Sequence, residues 1–251
     1  MRLPAWGTRP NPAAAWCVYD REVERNEYGQ SVGHVVSGWT PRELPGRTEL
    51  VGRYVRAEPV DVVHVPALYA ALCGPQDAPL WTYRPGPVPG SVEEMERLVV
   101  RLRDHPVSAS YAFVPESGTA EGLATFFPCV PESGVVEISG VIFSRRMQRT
   151  PASTEAIHLM LGEAFDELGY RRVEWKCDHL NEPSGLAALR LGFTFEGRFR
   201  QHMVTHGRNR DTDWYAILDS EWPAVRARHR RWLSPDNFDS DGRQRRRMGS
   251  L

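Results

Sequence analysis

Residues 148–156 read Gln-Arg-Thr-Pro-Ala-Ser-Thr-Glu-Ala, and this stretch says most about the fold. A strand-like run, 134–144, precedes it, and an amphipathic segment follows it. Apolar residues of that segment recur at a spacing typical of a buried helix face: Ile157, Met160, Leu161, Ala164, Phe165 and Leu168. A strand that enters a helix through a short polar loop collects free backbone N–H groups, and such groups bind phosphate. The stretch therefore predicts an anion-binding loop between a strand and a central helix.

The dipeptide Thr150-Pro151 predicts where this helix begins. Proline favours an extended conformation in the residue before it and is itself favoured at the first helical position. Thr150 is therefore expected to be the N-cap, and Gly169 is placed to end the helix. A helix start is a sufficient explanation of the dipeptide, so Thr-Pro alone does not indicate a ligand.

The composition is that of a globular protein. Of the 251 residues 41% are hydrophobic, and the formal net charge is −1, so there is no global basic field for nucleic acid. No run of eighteen apolar residues predicts a membrane span, and residues 1–16 lack the apolar stretch of a secretory signal. The cysteines are far apart, without a Cys-x-x-Cys pair: Cys17, Cys73, Cys129 and Cys177. We therefore expect reduced thiols, no metal and a cytoplasmic location.

Arginine supplies nearly all of the positive charge, because Lys176 is the single lysine among 31 basic residues. Codon bias in a GC-rich genome is the explanation that we favour. Arginines cluster near 145–149, 198–210, 226–231 and 243–247, which leaves a local anionic partner open.

Changes in composition divide the chain into three predicted parts. Residues 1–48 are rich in proline and glycine, and we expect an extended, partly ordered arm lying on the domain. Residues 49–222 carry regular hydrophobic patterns and form the predicted main domain. Residues 223–251 combine most of a terminal helix with a basic tail that we expect to be mobile.

Hydrophobic periods and turn residues predict the order of elements in the main domain. Ser91 and Glu94 form a predicted capping box, and the tetrapeptide Pro-Glu-Ser-Gly at 115–118 and 131–134 separates the strands of a predicted antiparallel meander. A final hairpin is expected to turn at Gly207-Arg208-Asn209. The predicted strands are 50–60, 108–114, 120–129, 134–143, 171–177, 193–205 and 212–218, and the predicted helices are 66–72, one after Ser91, 151–168, 183–191 and 222–233.

Two motifs resemble those of a known family. The loop reads Gln148-x-x-Pro151-x-Ser153, which is similar to the Gln/Arg-x-x-Gly-x-Gly/Ala loop of the GNAT superfamily of CoA-dependent N-acyltransferases, most of all to its RimJ/RimL-like branch. Asn181-x-x-Ser184, followed by Leu-Gly-Phe at 191–193, resembles a second signature of that branch. The resemblance covers about residues 49–220. It implies an α/β (α+β) GNAT fold, in which helices flank a mixed, mostly antiparallel seven-stranded sheet with splayed central strands.

The resemblance implies acetyl-CoA as acyl donor, without a metal. It places the pyrophosphate at the loop and the pantetheine along a strand edge. It also implies that Asn181 helps to hold the donor and that the Ser184 hydroxyl lies near the thioester sulfur. The implied donor contacts are Val141, Ile142, Phe143, Gln148, Arg149, Thr150, Ser153, Asn181 and Ser184. Pro151 departs from the family pattern because it lacks the N–H of the usual glycine. A charged hydrogen bond is worth about 1.5–3 kcal/mol, so we expect Arg149, Thr150 or Ser153 to compensate.

Aminolysis of a thioester needs a general base, an oxyanion site and an acid for the leaving thiolate. Glu137 is the first candidate base, because its strand borders the acceptor cleft in the family; the alternative is a solvent-facing charge on an edge. His202 is the second candidate, although a lone histidine is more often a packing or surface residue. Ser184 is the candidate acid, and the structural alternative is that Asn181 or Ser184 simply caps the helix. The backbone amide near Val141 is the candidate oxyanion donor.

Three functions are compatible with these residues. The first is transfer of an acetyl group to a primary amine, on a protein N-terminus or a small molecule. A lysine costs about 3.5 kcal/mol more to deprotonate than an α-amine, so a weak base favours α-amines. The second is transfer of an aminoacyl group from charged tRNA to a small molecule, and the third is a non-catalytic binding module. No membrane partner is expected, and the oligomeric state is open, a homodimer included.

Overall fold

The computed structural model describes residues 23–240 and 242–250. The chain divides into two compact units, with the boundary between Thr40 and Pro41. In the described part of the first unit, strands β1 (Glu24–Arg25) and β2 (Ser31–Val32) form an antiparallel hairpin. Residues 1–22 of the predicted arm lie outside the described residues. Residues 41–48, the end of the predicted arm, belong to the second unit and lie on it: the Glu43 carbonyl accepts from the Tyr170 hydroxyl at 2.9 Å and the Gly46 carbonyl from the Tyr111 hydroxyl at 3.0 Å.

One large sheet dominates the second unit. In the described part of the chain it has eight strands in the order β3-β4-β5-β6-β7-β8-β10-β9, and all neighbours are antiparallel except the parallel pair β7 and β8. Its strands are β3 (Leu50–Val51), β4 (Val55–Pro59), β5 (Ala109–Pro115), β6 (Gly122–Val130), β7 (Val135–Phe143), β8 (Arg172–Asp178), β9 (Thr194–Thr205) and β10 (Arg208–Leu218). The helices are α1 (Val65–Leu72), α2 (Val92–Arg103), α3 (Pro151–Gly162), α4 (Glu182–Leu191) and α5 (Trp222–Leu233). The predicted mixed, mostly antiparallel sheet flanked by helices is confirmed.

The eighth strand arises because the prediction of one strand over 50–60 was wrong. The chain turns at Gly52, whose N–H donates to the Val55 carbonyl at 3.0 Å, so β3 and β4 are two short strands. The buried Glu155 carboxylate on α3 accepts hydrogen bonds from the Tyr54 N–H at 2.5 Å and the Val55 N–H at 3.1 Å. The turn is therefore held by a residue that lies about a hundred positions further along the chain.

The predicted meander is confirmed, and its two turns use glycine in the left-handed region. Gly118 has φ 77° and Gly134 has φ 61°, which is why the same tetrapeptide serves at both places. The final hairpin turns at His206 and Gly207, with φ 50° and 72°, rather than at the predicted 207–209. The predicted capping box is half formed: Ser91 accepts from the Glu94 N–H at 3.3 Å, while the Glu94 carboxylate accepts from Gly90.

Helices cover the two faces of the sheet unequally. Helices α3 and α5 pack on one face, where the core includes Val136, Ile138 and Trp175. Helices α1 and α2 pack on the other face, against residues of β5, β6 and β7 such as Ala112 and Leu123. The parts of β8, β10 and β9 on this second face carry a charged and aromatic surface instead. Nowhere in residues 23–240 or 242–250 does a helix have the length and apolar character of a membrane span.

The prediction of a mobile tail was wrong, because the residues after α5 fold back onto this helix. Met248 is buried against Trp232 and Leu233, and the Trp232 indole N–H donates to the Gln244 amide at 2.9 Å. Phe238 bridges to Gln244 in antiparallel fashion. The basic residues at 245–247 therefore sit on a packed segment.

Two histidines join α3 to α5. The Nδ1 atoms of His158 and His229 are 3.3 Å apart, and His229 Nε2 donates to the Leu191 carbonyl at 2.8 Å. Both rings also pack against Trp222. Burial lowers the pKa of His158 to about 4 and the pKa of His229 to about 3. Both side chains are therefore neutral in the folded protein at physiological pH.

These pKa values predict a loss of stability in mild acid. The unfolded chain takes up a proton at each histidine below its ordinary pKa of about 6.5, whereas the folded protein does not, at a cost of about 1.4 kcal/mol per histidine per pH unit. We expect urea unfolding to give about 2–3 kcal/mol less stability at pH 5.5 than at pH 7.5. His158→Phe should lose about half of this dependence. Equal unfolding midpoints of the wild-type protein at the two pH values would contradict the prediction.

Candidate active site

The central strands separate in the middle of the sheet. Parallel pairing between β7 and β8 covers three residue pairs and ends at Glu137 and Glu174. From Ile138 to Phe143 strand β7 continues, still paired with β6 on its other side. The edge that it turns toward β8 has no strand partner among the described residues. Apart from the Gly140 and Phe143 carbonyls, which accept hydrogen bonds from Arg84 and Gln148, the backbone groups on this edge are available to an extended ligand. The predicted splay is confirmed.

A bulge lies halfway along this free edge. Ser139 pairs with Thr125 and Ile142 pairs with Leu123, so two residues, Gly140 and Val141, stand opposite Ala124. Gly140 has φ 61°, the conformation that favours glycine at the first position of a bulge. The bulge changes the direction of the backbone groups of Gly140 and Val141. The predicted oxyanion donor, the backbone amide near Val141, lies within it.

A buried carboxylate anchors the loop that follows β7. The Glu121 carboxylate accepts a very short hydrogen bond from the Ser144 hydroxyl and forms an ion pair with Arg146 at 3.0 Å. Ser144 Oγ in turn accepts from the Met147 N–H at 3.1 Å, and the Ser144 N–H donates to the Glu121 carbonyl at 2.7 Å. Arg145 pairs with Asp77 at 2.9 Å. The loop between β7 and α3 is therefore tied to neighbouring elements at its start.

The predicted donor residues of this loop lie together at the start of α3. Thr150 is the N-cap: its hydroxyl donates to the Met147 carbonyl at 2.7 Å and accepts from the Ser153 N–H at 3.3 Å. The Ser153 hydroxyl donates to the Thr150 carbonyl, and the Gln148 amide donates to the Phe143 carbonyl at 3.0 Å. These three side chains thus make intramolecular contacts that shape the loop.

Arg149 differs from the other three. It has φ 62°, a left-handed conformation that is uncommon for a residue with a side chain. Its side chain is exposed, and the described residues offer it no hydrogen-bond or ion-pair partner. A left-handed residue directly before a helix start directs successive N–H groups to one side, as in an anion-binding nest. Arg149 is therefore the loop side chain best placed to compensate for the missing N–H of Pro151.

The second motif borders β8 on the face covered by α3. Asn181 caps α4, with its side-chain oxygen 3.4 Å from the Ser184 N–H. The Ser184 hydroxyl accepts a hydrogen bond from the Trp175 indole N–H at 3.0 Å. Asn181 therefore fulfils the structural alternative, a helix cap, and the Ser184 hydroxyl also lies within hydrogen-bond reach of the Cys177 thiol.

Glu137 lies on the opposite face, inside a network of charges. Its carboxylate is 3.0 Å from Lys176 Nζ, which is also 2.9 Å from the Glu174 carboxylate and 3.7 Å from the centre of the Trp214 ring. With only 8% of its surface exposed, Glu137 is not the solvent-facing edge charge that was its alternative. Burial raises the pKa of Glu137 above its ordinary value, although Lys176 opposes the shift. A raised pKa makes a carboxylate a stronger base near neutral pH.

His202 is on β9 and does not join this network directly. Its Nδ1 is 3.0 Å from the Thr212 hydroxyl, and its ring packs edge-on against Phe199 and Trp214. The Phe199 ring stacks on Trp214 with centroids 4.6 Å apart. His202 thus borders the Glu137 network through Trp214, without a hydrogen bond to Glu137 among the described contacts.

The uncovered face also contains an open groove of about 360 Å3. It is lined by Arg172, Glu174, Glu196, Gly197, Phe199 and Trp214. Arg172 bonds both carboxylate oxygens of Glu196 and also Glu174 at 2.8 Å. The groove adjoins the Glu137 network through Glu174, and its two carboxylates are both paired with Arg172.

Sequence reasoning missed several residues of this region. Lys176 carried one signal, since it is the single lysine of the chain, but nothing in the sequence indicated its two carboxylate partners. Arg84, which reaches the bulge of β7, lies in a loop without a readable motif. Among the described residues no group of histidine, cysteine and carboxylate side chains is arranged to hold a metal ion.

Comparisons with known proteins agree with this geometry. A family model described as an acetyltransferase (GNAT) domain matches residues 55–194. A GCN5-related N-acetyltransferase from Brucella melitensis is 41% identical with a TM-score of 0.83, over 84% of this chain and 97% of that chain. A GNAT-family protein from Chromobacterium violaceum is 34% identical with a TM-score of 0.72, over 76% of this chain and 96% of that chain. No curated protein sequence matches.

A more distant structure shows the fold alone. It is an acetyl transferase from Salmonella typhimurium that modifies the N-terminal serine of the 50S ribosomal subunit protein L7/L12. It is 21% identical with a TM-score of 0.60, over 68% of this chain and 99% of that chain. Taken with the family model and the two nearer structures, the fold and the splayed strands assign the class: the chain belongs to the GNAT acetyltransferase family and is an acyltransferase.

Proposed function

We propose that this enzyme transfers an acetyl group from acetyl-CoA to a primary amine by direct attack of the amine on the thioester. The observation that carries the proposal is the free edge of β7. It runs from the buried Glu137 carboxylate, through the bulge at Gly140, to the loop before α3. A base, an extended backbone edge and a helix N-terminus thus follow one another along a single strand.

The donor contacts follow from this arrangement. The pyrophosphate binds at the N-terminus of α3, where unpaired N–H groups and the positive end of the helix dipole face the loop. Arg149 adds the charge that replaces the missing N–H of Pro151. The pantetheine amides pair with the backbone of Val141, Ile142 and Phe143, and the thioester lies at the bulge. Acetyl-CoA is the usual donor of the family, which supports this choice.

Glu121 provides a test of the donor loop. In Glu121→Ala the Ser144 hydroxyl and Arg146 lose their shared partner, so we expect the loop to loosen and the Kd for acetyl-CoA to rise about tenfold, equivalent to about 1.4 kcal/mol. The measurement is calorimetric titration of the variant and of Glu116→Ala, which removes an exposed carboxylate in the turn after β5. Equal affinities of the two variants for acetyl-CoA would contradict an anchoring role of Glu121.

The reaction then uses both faces of the sheet. The amine approaches from the uncovered face, and Glu137 accepts its proton as the nitrogen attacks the thioester carbonyl. The Val141 N–H stabilises the oxyanion, and collapse of the intermediate breaks the C–S bond. Ser184, on the other face, donates its hydroxyl proton to the leaving thiolate and regains one from solvent. The products are an N-acetylated amine and CoA.

The acceptor class rests on broader support. A base of moderate strength favours α-amines, because they lose a proton more easily than lysine side chains. One structure of similar fold acts on a protein N-terminus, which supports a place near the RimJ/RimL-like branch and keeps a protein α-amine as a candidate beside small-molecule amines.

Calorimetry with acetyl-CoA and CoA, at low and moderate salt, tests the proposal, followed by release of the CoA thiol with a panel of amines. Micromolar binding of acetyl-CoA with amine-dependent thiol release is the expected result. Failure to bind either ligand would contradict the donor, and binding of charged tRNA with steep salt dependence would then support the aminoacyl alternative. Binding without transfer to any amine would favour a non-catalytic module.

A further inference from the structure

A short segment before α2 crosses the open side of the separated strands. It follows the 3-10 turn of Ala78–Trp81 and includes Tyr83 and Arg84. The Tyr83 hydroxyl donates to the Leu180 carbonyl just after β8 at 2.9 Å, and the Arg84 carbonyl accepts from His206 Nε2 in the hairpin turn at 2.9 Å. These contacts connect the segment to both sides of the cleft.

The side chain of Arg84 reaches the bulge of β7, at the open side of the separated strands. Its Nη1 donates to the Gly140 carbonyl at 2.7 Å, within the bulge of β7, and its guanidinium lies over the Trp81 ring at 5.1 Å. Within residues 23–240 and 242–250 the remaining N–H groups of this guanidinium have no hydrogen-bond partner. Arg84 therefore presents donors at the place where amine and thioester must meet.

Arg84 also lacks a counter-charge. Around the same cleft Arg172 pairs with Glu196, Arg198 with Asp213 and Arg146 with Glu121. No carboxylate of the described residues forms an ion pair with Arg84, and burial lowers the pKa of this guanidinium to about 10, which leaves it charged at neutral pH. A partly desolvated charge is costly unless it is paired, and a guanidinium does not discharge. The missing partner is expected to come from a ligand.

We propose that Arg84 binds a carboxylate of the acceptor, so that the acceptors of this enzyme are amines that also carry a carboxylate group. The inference rests on the proposed function, because it deepens the description of the same acceptor site. A planar guanidinium forms two parallel hydrogen bonds with a carboxylate. Gly140 is three residues from Glu137 along β7, roughly 10 Å, so the charged end of a small acceptor and its amine both fit between Arg84 and the base.

The surrounding charges favour a carboxylate over a phosphate. On the uncovered face the charges balance: Glu137, Glu174 and Glu196 stand with the cations Lys176, Arg172 and Arg210. Because Arg84 adds one positive charge that has no ion-pair partner among the described residues, the cleft compensates the single charge of a carboxylate better than the double charge of a phosphate. The CoA pyrophosphate is assigned to the start of α3, beyond the far end of β7, and so is not the partner of Arg84.

The test compares Arg84→Gln, Arg84→Lys and wild type. The control is Arg97→Gln, which changes an arginine with 63% of its side chain exposed on α2. Acceptors are the amino acids and their carboxamides, with O-phosphoethanolamine and ethanolamine as the phosphate pair. Wild type and control should prefer acids to amides, and Arg84→Gln should reduce kcat/KM for the acids about 10- to 100-fold while the amides and the acetyl-CoA Kd stay unchanged. Arg84→Lys should restore part of the loss.

Equal use of acids and amides by wild type, a preference that survives Arg84→Gln, or a preference for the phosphate pair would overturn the proposal. A second measurement tests the carboxylate site independently of the proposed function. It is calorimetric titration with N-acetylglycine and with N-acetylglycinamide, in the absence of CoA. Arg84-dependent binding of the acid alone upholds the carboxylate site even if acetyl-CoA fails to bind. Equal binding of the acid and the amide overturns the carboxylate site, even if acetyl-CoA binds.

Discussion

Glu137→Gln is expected to reduce kcat about 100- to 1,000-fold while the Kd for acetyl-CoA stays within a factor of two, because general base catalysis contributes about that much and Glu137 does not touch the donor loop. Glutamine keeps the size of the side chain and cannot accept the proton. The variant is measured by thiol release under saturating acetyl-CoA and by calorimetry. Folding of the variant is checked by urea unfolding.

Glu174→Gln is the matched control for this prediction. Glu174 is buried on the neighbouring strand and shares Lys176 with Glu137, at 2.9 and 3.0 Å, so either substitution removes one carboxylate from the same network. If the two variants lose activity equally, the network and not Glu137 as base explains the loss. The pH profile adds a second readout. Because burial raises the pKa of Glu137, the base becomes protonated at a higher pH than an ordinary glutamate, and wild-type activity should be lost at that higher pH as the pH is lowered.

Glu155→Ala is expected to lower the free energy of unfolding by about 3–5 kcal/mol, since two backbone N–H groups lose a charged acceptor worth about 1.5–3 kcal/mol each. These are the groups of Tyr54 and Val55. The corresponding fall in Tm is about 10 °C. Glu96→Ala, which removes an exposed glutamate from the middle of α2, is the control.

Gly52→Ala tests the same contact from the other side. A Cβ at position 52 would overlap the Glu155 carboxylate and would lie 2.9 Å from the Val55 carbonyl oxygen, so one of these groups must move. We expect a loss of about 2 kcal/mol, the usual range for an overpacked site. The control for both variants is the urea midpoint of Glu96→Ala. If neither Glu155→Ala nor Gly52→Ala has a lower midpoint than this control, the contact does not stabilise the fold.

The sequence predicted the central elements of this fold well. Thr150 and Gly192 mark helix boundaries through their own side chain or backbone freedom, and the two Pro-Glu-Ser-Gly turns reverse the chain for the same local reason. Predictions failed where local signals were weak. The apolar content of 50–60 concealed a turn at Gly52, and the polar tail concealed the packing of Met248 on α5.

The candidate site was predictable in part. Glu137 and the loop at 148–153 were identified from their place beside recognisable motifs, but their surroundings were not. Glu137 is buried because Lys176 from another strand offsets its charge, and Arg84 reaches the bulge from a loop more than fifty residues away. Neither contact leaves a periodic pattern, because side chains that converge from different elements share no spacing in the sequence.

Residues 148–156 contain both kinds of information. By itself this stretch determined a strand-to-helix loop, its cap at Thr150 and the start of α3, because these depend on interactions between residues at most four positions apart. The same stretch ends with Glu155 and Ala156, and the role of Glu155 was decided by the tertiary structure alone. Its hydrogen-bond donors lie at Tyr54 and Val55, which only the packing of α3 against β3 and β4 brings within reach.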